Sequence, residues 1–129
     1  MIKFRLDPRS GVSTYLQIVH QVRHAVRLGI LRPGDQLPTV KDVVGSLAIN
    51  PNTVLKAYRE LEHDELVEGR PGLGTFVRDT VSGPPPGSHA ALRRGLDRWL
   101  RSAFEAGLDT EDVRALFETS LHDRQEGVA

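Results

Sequence analysis

Asn52, Thr53 and Lys56 put an amide, a hydroxyl and an ammonium within little more than one helical turn of each other. At about 100° per residue, a helix through them sets Asn52, Lys56, Arg59 and His63 on one face, with Thr53 on its flank. Amide and ammonium groups so arranged read base edges and phosphates in a DNA major groove. The bland alternative is a solvated helix face, and the neighbouring elements decide between the two. A second group lies in Gly69-Arg70-Pro71-Gly72-Leu73-Gly74. Its glycines let a backbone come close to a sugar-phosphate wall, and Arg70 suits a phosphate or a narrow minor groove. His20 and His24 are four apart, a spacing that can hold a metal. No carboxylate or third histidine lies near them in sequence, so they read as part of a solvated face, and no metal is expected.

Catalysis finds no support. Cysteine is absent, which removes thiolate metal sites and disulfides. The five histidines are scattered. Gly69–Gly74 lacks the Lys-Ser/Thr ending of a phosphate loop, and no nucleophile or carboxylate pair has motif context. No catalytic residue and no cofactor is expected.

The elements that must position these groups follow from caps and periodicity. Asn50 is a good N-cap and Pro51 suits the first helical position. Behind the polar face, Val54, Ala57, Tyr58 and Leu61 form an apolar stripe. Upstream, residues 13–28 form a helix with Tyr15, Ile18, Val19, Val22, Ala25 and Val26 on one face. Ser10 or Ser13 caps it and Gly29 ends it. Pro33-Gly34 makes a turn. Thr39 then caps a second helix, with Asp42 three residues on as an imperfect capping box. Val40, Val43, Val44 and Leu47 form its apolar stripe, and Lys41 points away near its start. Ala48-Ile49-Asn50 joins the two short helices, which predicts a helix-turn-helix whose second member is the recognition helix. Leu66-Val67-Glu68 and Thr75-Phe76-Val77-Arg78 read as strands around the Gly69–Gly74 turn, a β-hairpin wing. Residues 1–11 look extended, with Met1–Leu6 a short strand or an arm.

Charge divides the chain. Its net charge is zero, yet residues 1–78 hold 11 Lys/Arg against 8 Asp/Glu, and residues 79–129 hold 6 against 9. The break coincides with Ser82-Gly83-Pro84-Pro85-Pro86-Gly87, a linker by composition. Beyond it, a helix over 88–106 starts at Ser88 and carries Leu92, Leu96, Trp99, Leu100, Ala103 and Phe104 on one face. Gly107 stops it. Asp109, with Asp112, caps a last helix lined by Val113, Leu116, Phe117 and Leu121. Two such helices pack as an antiparallel hairpin with one apolar face too many for a monomer, so a second copy is the simplest cover. No apolar run is long enough to span a bilayer and no signal-peptide pattern opens the chain, so a cytoplasmic location is expected and no membrane partner.

Tyr15-Leu16-Gln17-Ile18, Gly29–Val40, Asn50–Val54 with Ala57–Glu62, and Arg70–Val77 together resemble the GntR family of bacterial transcription regulators. The two-helix tail, with Ala106-Gly107-Leu108 between its helices, resembles the YtrA-type subfamily. The resemblance implies a homodimeric repressor on a palindromic operator, controlling its own operon and genes for a transporter. It also implies that Lys41, the start of the recognition helix and the wing-tip glycines contact DNA. The family usually has Arg at the position of Lys41, and Lys keeps the charge but loses the bidentate fork to guanine. Many relatives carry Arg or Gln where Leu55 stands, which moves sequence preference onto Asn52, Thr53, Lys56 and the wing.

The expected fold is mainly α with a small β-wing: a winged helix-turn-helix over 1–80, a Pro/Gly linker over 81–87, and an α-helical hairpin for dimerisation over 88–129. The expected DNA-binding residues are Thr39, Lys41, Asn50, Asn52, Thr53, Lys56, Tyr58, Arg70, Gly72 and Gly74. The expected dimer residues are Leu92, Leu96, Trp99, Leu100, Phe104 and Phe117. The partners are double-stranded operator DNA and a second copy of the chain. Any small-molecule effector is left to the dimer interface or the junction of the two parts, since the tail is too small to enclose a pocket of the usual ~300–1,000 Å³. Two other readings compete with this one. A DNA-binding front of an enzyme fusion is disfavoured because no cofactor domain with its lysine follows. A protein-interaction module has no need of Lys41, Lys56 and Arg70 on one surface.

Overall fold

The computed structural model describes residues 1–81 and 89–127. The chain divides into two compact units, Met1–Ser88 and His89–Ala129. The linker expected over Ser82–Gly87 and the cap expected at Ser88 lie outside the described residues.

The first unit runs α1 (Thr14–Arg27), α2 (Val40–Leu47), α3 (Pro51–His63), β1 (Val67–Arg70) and β2 (Gly74–Val77). The apolar stripes read from the sequence are its core. Ile18, Val19 and Val22 of α1 meet Val54, Ala57 and Leu61 of α3, and all six are fully buried. α3 is the hub: it packs on α1, on α2 and on β1. Each fully buried aliphatic side chain contributes on the order of 1.5–3 kcal/mol, so this cluster fixes where α3 sits. Val67 and Val77 bring the hairpin into the same core.

Caps set the helix boundaries. Thr39 accepts from the Asp42 amide at 3.1 Å, and Asn50 accepts from the Asn52 amide at 2.8 Å, with Pro51 opening α3. Ser13 occupies the N-cap position of α1, but its hydroxyl makes no capping bond, so the expected Ser cap is present in position only. Ala48 ends α2 in the left-handed region at φ 54°, and its amide reaches Val44. A residue with a Cβ is strained there by about 1–2 kcal/mol. The turn between α2 and α3 accepts this in exchange for a short connection.

Of the two forms expected for the N-terminal segment, strand or arm, it takes the arm: Phe4 is buried in the core, and two glutamines of α1 hold the backbone. Gln21 accepts from the Arg5 amide at 2.9 Å and donates to the Arg5 carbonyl at 2.6 Å. Gln17 does the same for Asp7, at 2.8 and 3.0 Å. In the wing, β1 and β2 extend further into the glycine segment than expected. Arg70 pairs with Gly74, which leaves a three-residue turn, Pro71-Gly72-Leu73.

The second unit holds α4 (Ala90–Glu105) and α5 (Thr110–Gln125). Gly107, at φ +95°, turns the chain between them. Asp109 and Asp112 form a complete capping box. His89 occupies the N-cap position of α4 and makes no side-chain capping bond. Each helix has one buried residue, Ala103 in α4 and Val113 in α5. Elsewhere they leave an apolar groove of about 210 Å³ lined by Leu96, Trp99 and Leu100 on one side and Val113 and Phe117 on the other.

Candidate nucleic-acid interface

α3 presents the polar face that the sequence predicts. Asn50, Asn52, Lys56, Arg59 and His63 are exposed and Thr53 is half-buried. The Asn50 carbonyl oxygen is committed to the cap, whereas no hydrogen bond occupies the Asn52 side chain among the described residues. Lys56 is not a free-swinging cation. Its Nζ lies 4.0 Å from the centroid of the Tyr15 ring on α1, so the aromatic face holds the ammonium in place. Tyr15 is a residue that sequence reasoning placed only in the apolar stripe.

Tyr58 stands apart from the other expected DNA-binding residues. It is 7% exposed, and its hydroxyl donates to the Pro38 carbonyl at 2.6 Å. Burial, with the nearby Asp42 charge, pushes its phenol well above the ordinary range near 10. Tyr58 is therefore a brace between α3 and the entry to α2, not a group offered to DNA. The same apolar stripe that includes Tyr58 was the signal for this.

Thr39 and the wing turn face one open groove, lined also by Glu62, Gly69, Arg70, Gly72 and Gly74. Lys41 is exposed on the first turn of α2. The two wing-tip glycines differ. Gly72, at φ +75°, has open space where a Cβ would be, so its backbone is free to approach another molecule. Gly74, at φ +128°, has no such space: a Cβ would lie 2.7 Å from Nε2 of Gln36. That amide donates to the Leu73 carbonyl at 3.1 Å, and Gln36 also bridges to Phe76. Gly74 thus lies under the Gln36 side chain, and its positive φ disfavours any residue with a Cβ.

Arg70 is occupied as well. Its Nε and Nη2 both donate to Oε1 of Glu68, at 3.2 and 2.9 Å. Its guanidinium lies 4.4 Å from the Phe76 ring centroid. The period-2 alternation of a strand puts residues 68 and 70 on one face once both lie on β1. Nothing local in the sequence marks Gln36 as the wing's clamp, because its partners are 37 and more positions away.

His20 and His24 are exposed on α1 and border a shallow groove with Arg23 and Arg27. Arg23 is paired with Asp64. Among the described residues no group of three or more His, Asp or Glu side chains is placed to hold a metal.

A three-helix unit with a two-stranded hairpin after the exposed polar helix is a winged helix-turn-helix. The family model for bacterial regulatory proteins of the gntR family matches residues 14–77, from the start of α1 to the end of β2. The HTH-type transcriptional repressor YtrA of Bacillus subtilis is 34% identical over 110 residues, which cover 84% of this chain and 85% of the relative. A crystal structure described as a transcriptional antiterminator from Listeria monocytogenes superposes with a TM-score of 0.59 at 28% identity, over 95% of this chain and 92% of the other. The DNA-binding domain of AraR in complex with operator ORX1 superposes with a TM-score of 0.51 at 24% identity, over 57% of this chain and 92% of that domain, a likeness of fold. The chain belongs to the GntR family of bacterial regulatory proteins, with the short YtrA-type tail, and is a DNA-binding transcriptional regulator rather than an enzyme.

Proposed function

We propose that the protein is a homodimeric repressor that binds a palindromic operator in the cytoplasm. The observation that carries this reading is the pairing of two unsatisfied surfaces in one chain: the exposed polar face of α3, and the uncovered apolar stripe of α4 and α5. In this reading Asn52, Thr53 and Lys56 meet base edges and phosphates. Lys41, Thr39 and the Asn50 end of α3 contact the backbone, and the turn at Gly72 lies against it with Arg70. Leu92, Leu96, Trp99, Leu100, Phe104 and Phe117 form the contact between copies. The repressor named among the relatives supports the sign of regulation, and the family resemblance extends it to the protein's own operon and to transporter genes.

Selection of fragments from random DNA by the purified protein tests the reading. The expected product is an inverted repeat whose half-sites lie one helical turn or a multiple apart, about 10 bp each. Asn52→Ala then weakens binding to the selected site by roughly 1–3 kcal/mol while leaving the unfolding curve unchanged. Selected sequences without two-fold symmetry remove the dimeric operator. Equal affinity of Asn52→Ala and the parent chain removes α3 as the reader.

A further inference from the structure

The ammonium of Lys56 has two resting places within reach. Lys56 and Glu60 are four apart on α3, a spacing at which lysine and glutamate side chains meet on a helix surface. Oε2 of Glu60 is buried and has no hydrogen-bond partner among the described residues, so it is an acceptor without a donor. Lys56 nevertheless lies on Tyr15, with Nζ 4.0 Å from the ring centroid. The ring is itself fixed, because Tyr15 is half-buried against the core of the winged unit. The two places differ in what they leave of the charge. A carboxylate cancels it and takes up N–H donors. A ring face carries no net charge and covers one side of the ammonium. Lys56 is exposed, so on Tyr15 it keeps its full charge and the donors on its open side.

We propose that Tyr15 is a positioning residue for DNA binding, which holds the Lys56 ammonium off Glu60 and ready for an acceptor on the duplex. The inference rests on the reading of α3 given above. Ordering a long side chain opposes association, and lysine is among the side chains with most rotamer freedom to lose. A lysine that rests on a fixed ring has lost part of that freedom before the duplex arrives. A lysine folded back on Glu60 must first give up an ion pair. Tyr15 lowers both costs, and it does so through Lys56 alone.

The test uses the full chain and its selected operator duplex. Tyr15→Leu removes the ring face but keeps an apolar side chain toward the core, and Tyr15→Phe keeps the ring. Tyr15→Leu is expected to weaken operator binding by about two- to fivefold for each winged unit, the worth of an exposed cation–ring contact. Tyr15→Phe stays within about twofold of the parent. On a Lys56→Met background, Tyr15→Leu has no further effect. Glu60→Gln returns part of the affinity lost in Tyr15→Leu and gives a smaller gain where the ring is present. NMR reads the unbound protein: the ring current shifts the Lys56 ε-methylene protons upfield in the parent and in Tyr15→Phe, and not in Tyr15→Leu. Melting curves check the fold, and Tyr15→Met takes the place of Tyr15→Leu if the leucine variant unfolds.

Four results overturn the inference: a ring-less variant that binds as tightly as the parent, a loss that persists on Lys56→Met, a Tyr15→Phe loss equal to that of Tyr15→Leu (which makes the hydroxyl the contact), or ε-methylene protons that do not move when the ring is removed. A Lys56→Met chain that binds the operator as tightly as the parent is a separate result. It takes Lys56 out of the DNA contact proposed for α3, and this inference goes with it, while the ring-current shift of the unbound protein still stands.

Discussion

The winged unit and the helical tail are written in the same code and solve it differently. Both carry apolar residues at helical spacing with polar residues opposite. In the winged unit the stripes of α1 and α3 disappear into one core: Ile18, Val54 and Leu61 show no exposed surface. In the tail, Ala103 and Val113 are buried, but Leu92 is 73% exposed and Phe104 and Phe117 are each 49% exposed. Periodicity shows that a helix has an apolar face. It does not show what covers that face. The winged unit covers its own, because three helices and a hairpin surround a common centre. Among the described residues of the tail, the two helices joined at Gly107 leave the groove between them open.

The comparison breaks most sharply at the tail's aromatic residues. In the full chain, Phe104→Glu with Phe117→Glu is expected to give a monomer by light scattering. Operator affinity is expected to fall by about 10²-fold or more as the second winged unit is lost from the complex. Unfolding of the winged unit stays as it was. A doubly charged variant that remains dimeric would place the contact elsewhere.

One substitution in the apolar stripe of each unit measures the same contrast as stability. Leu61→Ala removes a fully buried side chain and is expected to cost about 2–5 kcal/mol in a urea melt. Leu92→Ala, at dilutions where the chain is monomeric, is expected to stay within about 0.5 kcal/mol of the parent. Similar losses at both positions would mean that the tail's stripe is covered within the single chain.

Within the winged unit, the two turn glycines separate an internal requirement from an external one. Gly74→Ala combines positive φ with a clash against the Gln36 amide and is expected to cost about 1–3 kcal/mol. Adding Gln36→Ala returns part of that cost. Gly72→Ala meets only backbone strain, about 1–2 kcal/mol, and Gln36→Ala gives it no relief. Amide exchange of the hairpin reads both.

A single hydrogen bond is at stake at Tyr58. Tyr58→Phe leaves the Pro38 carbonyl without its donor and costs about 1 kcal/mol at neutral pH. Its pH dependence has a definite sign. The folded phenol holds its proton above the ordinary value, so below about pH 10 the brace is complete. As pH rises past that point the unfolded chain ionises first, and stability falls by about 1.4 kcal/mol per unit until the folded group also titrates. Tyr58→Phe removes this part of the alkaline decline. A melt series from pH 8 upward that is equally steep in both proteins would remove Tyr58 as its source.

The fold was legible wherever its causes are local. The caps at Thr39, Asn50 and Asp109 act on amides two or three positions away, and the sequence displays both ends of each bond. The candidate site was legible to the same depth: the identity and exposure of Asn52 and Lys56 follow from the period of α3. What the sequence concealed depends on distant partners. Lys56 rests on Tyr15, 41 positions upstream, and Gln36 clamps Leu73. The Glu68–Arg70 pair was hidden by a boundary: with the turn expected from Gly69 onward, Arg70 was read as a loop residue with no strand face to share. Once β1 runs to Arg70, the pairing follows.

The arm at the start of the chain has a consequence of its own. A carboxamide offers an N–H donor and a carbonyl acceptor side by side, as a peptide unit of a neighbouring strand would. Gln21 gives both to Arg5 and Gln17 gives both to Asp7, so two side chains of a helix stand in for a strand that the unit does not contain. An extended segment normally exposes one edge as a template on which another chain can add. Here Arg5 and Asp7 are already spoken for, and Phe4 anchors the segment from the core side. One edge of the arm is thereby closed to recruitment into another chain's sheet.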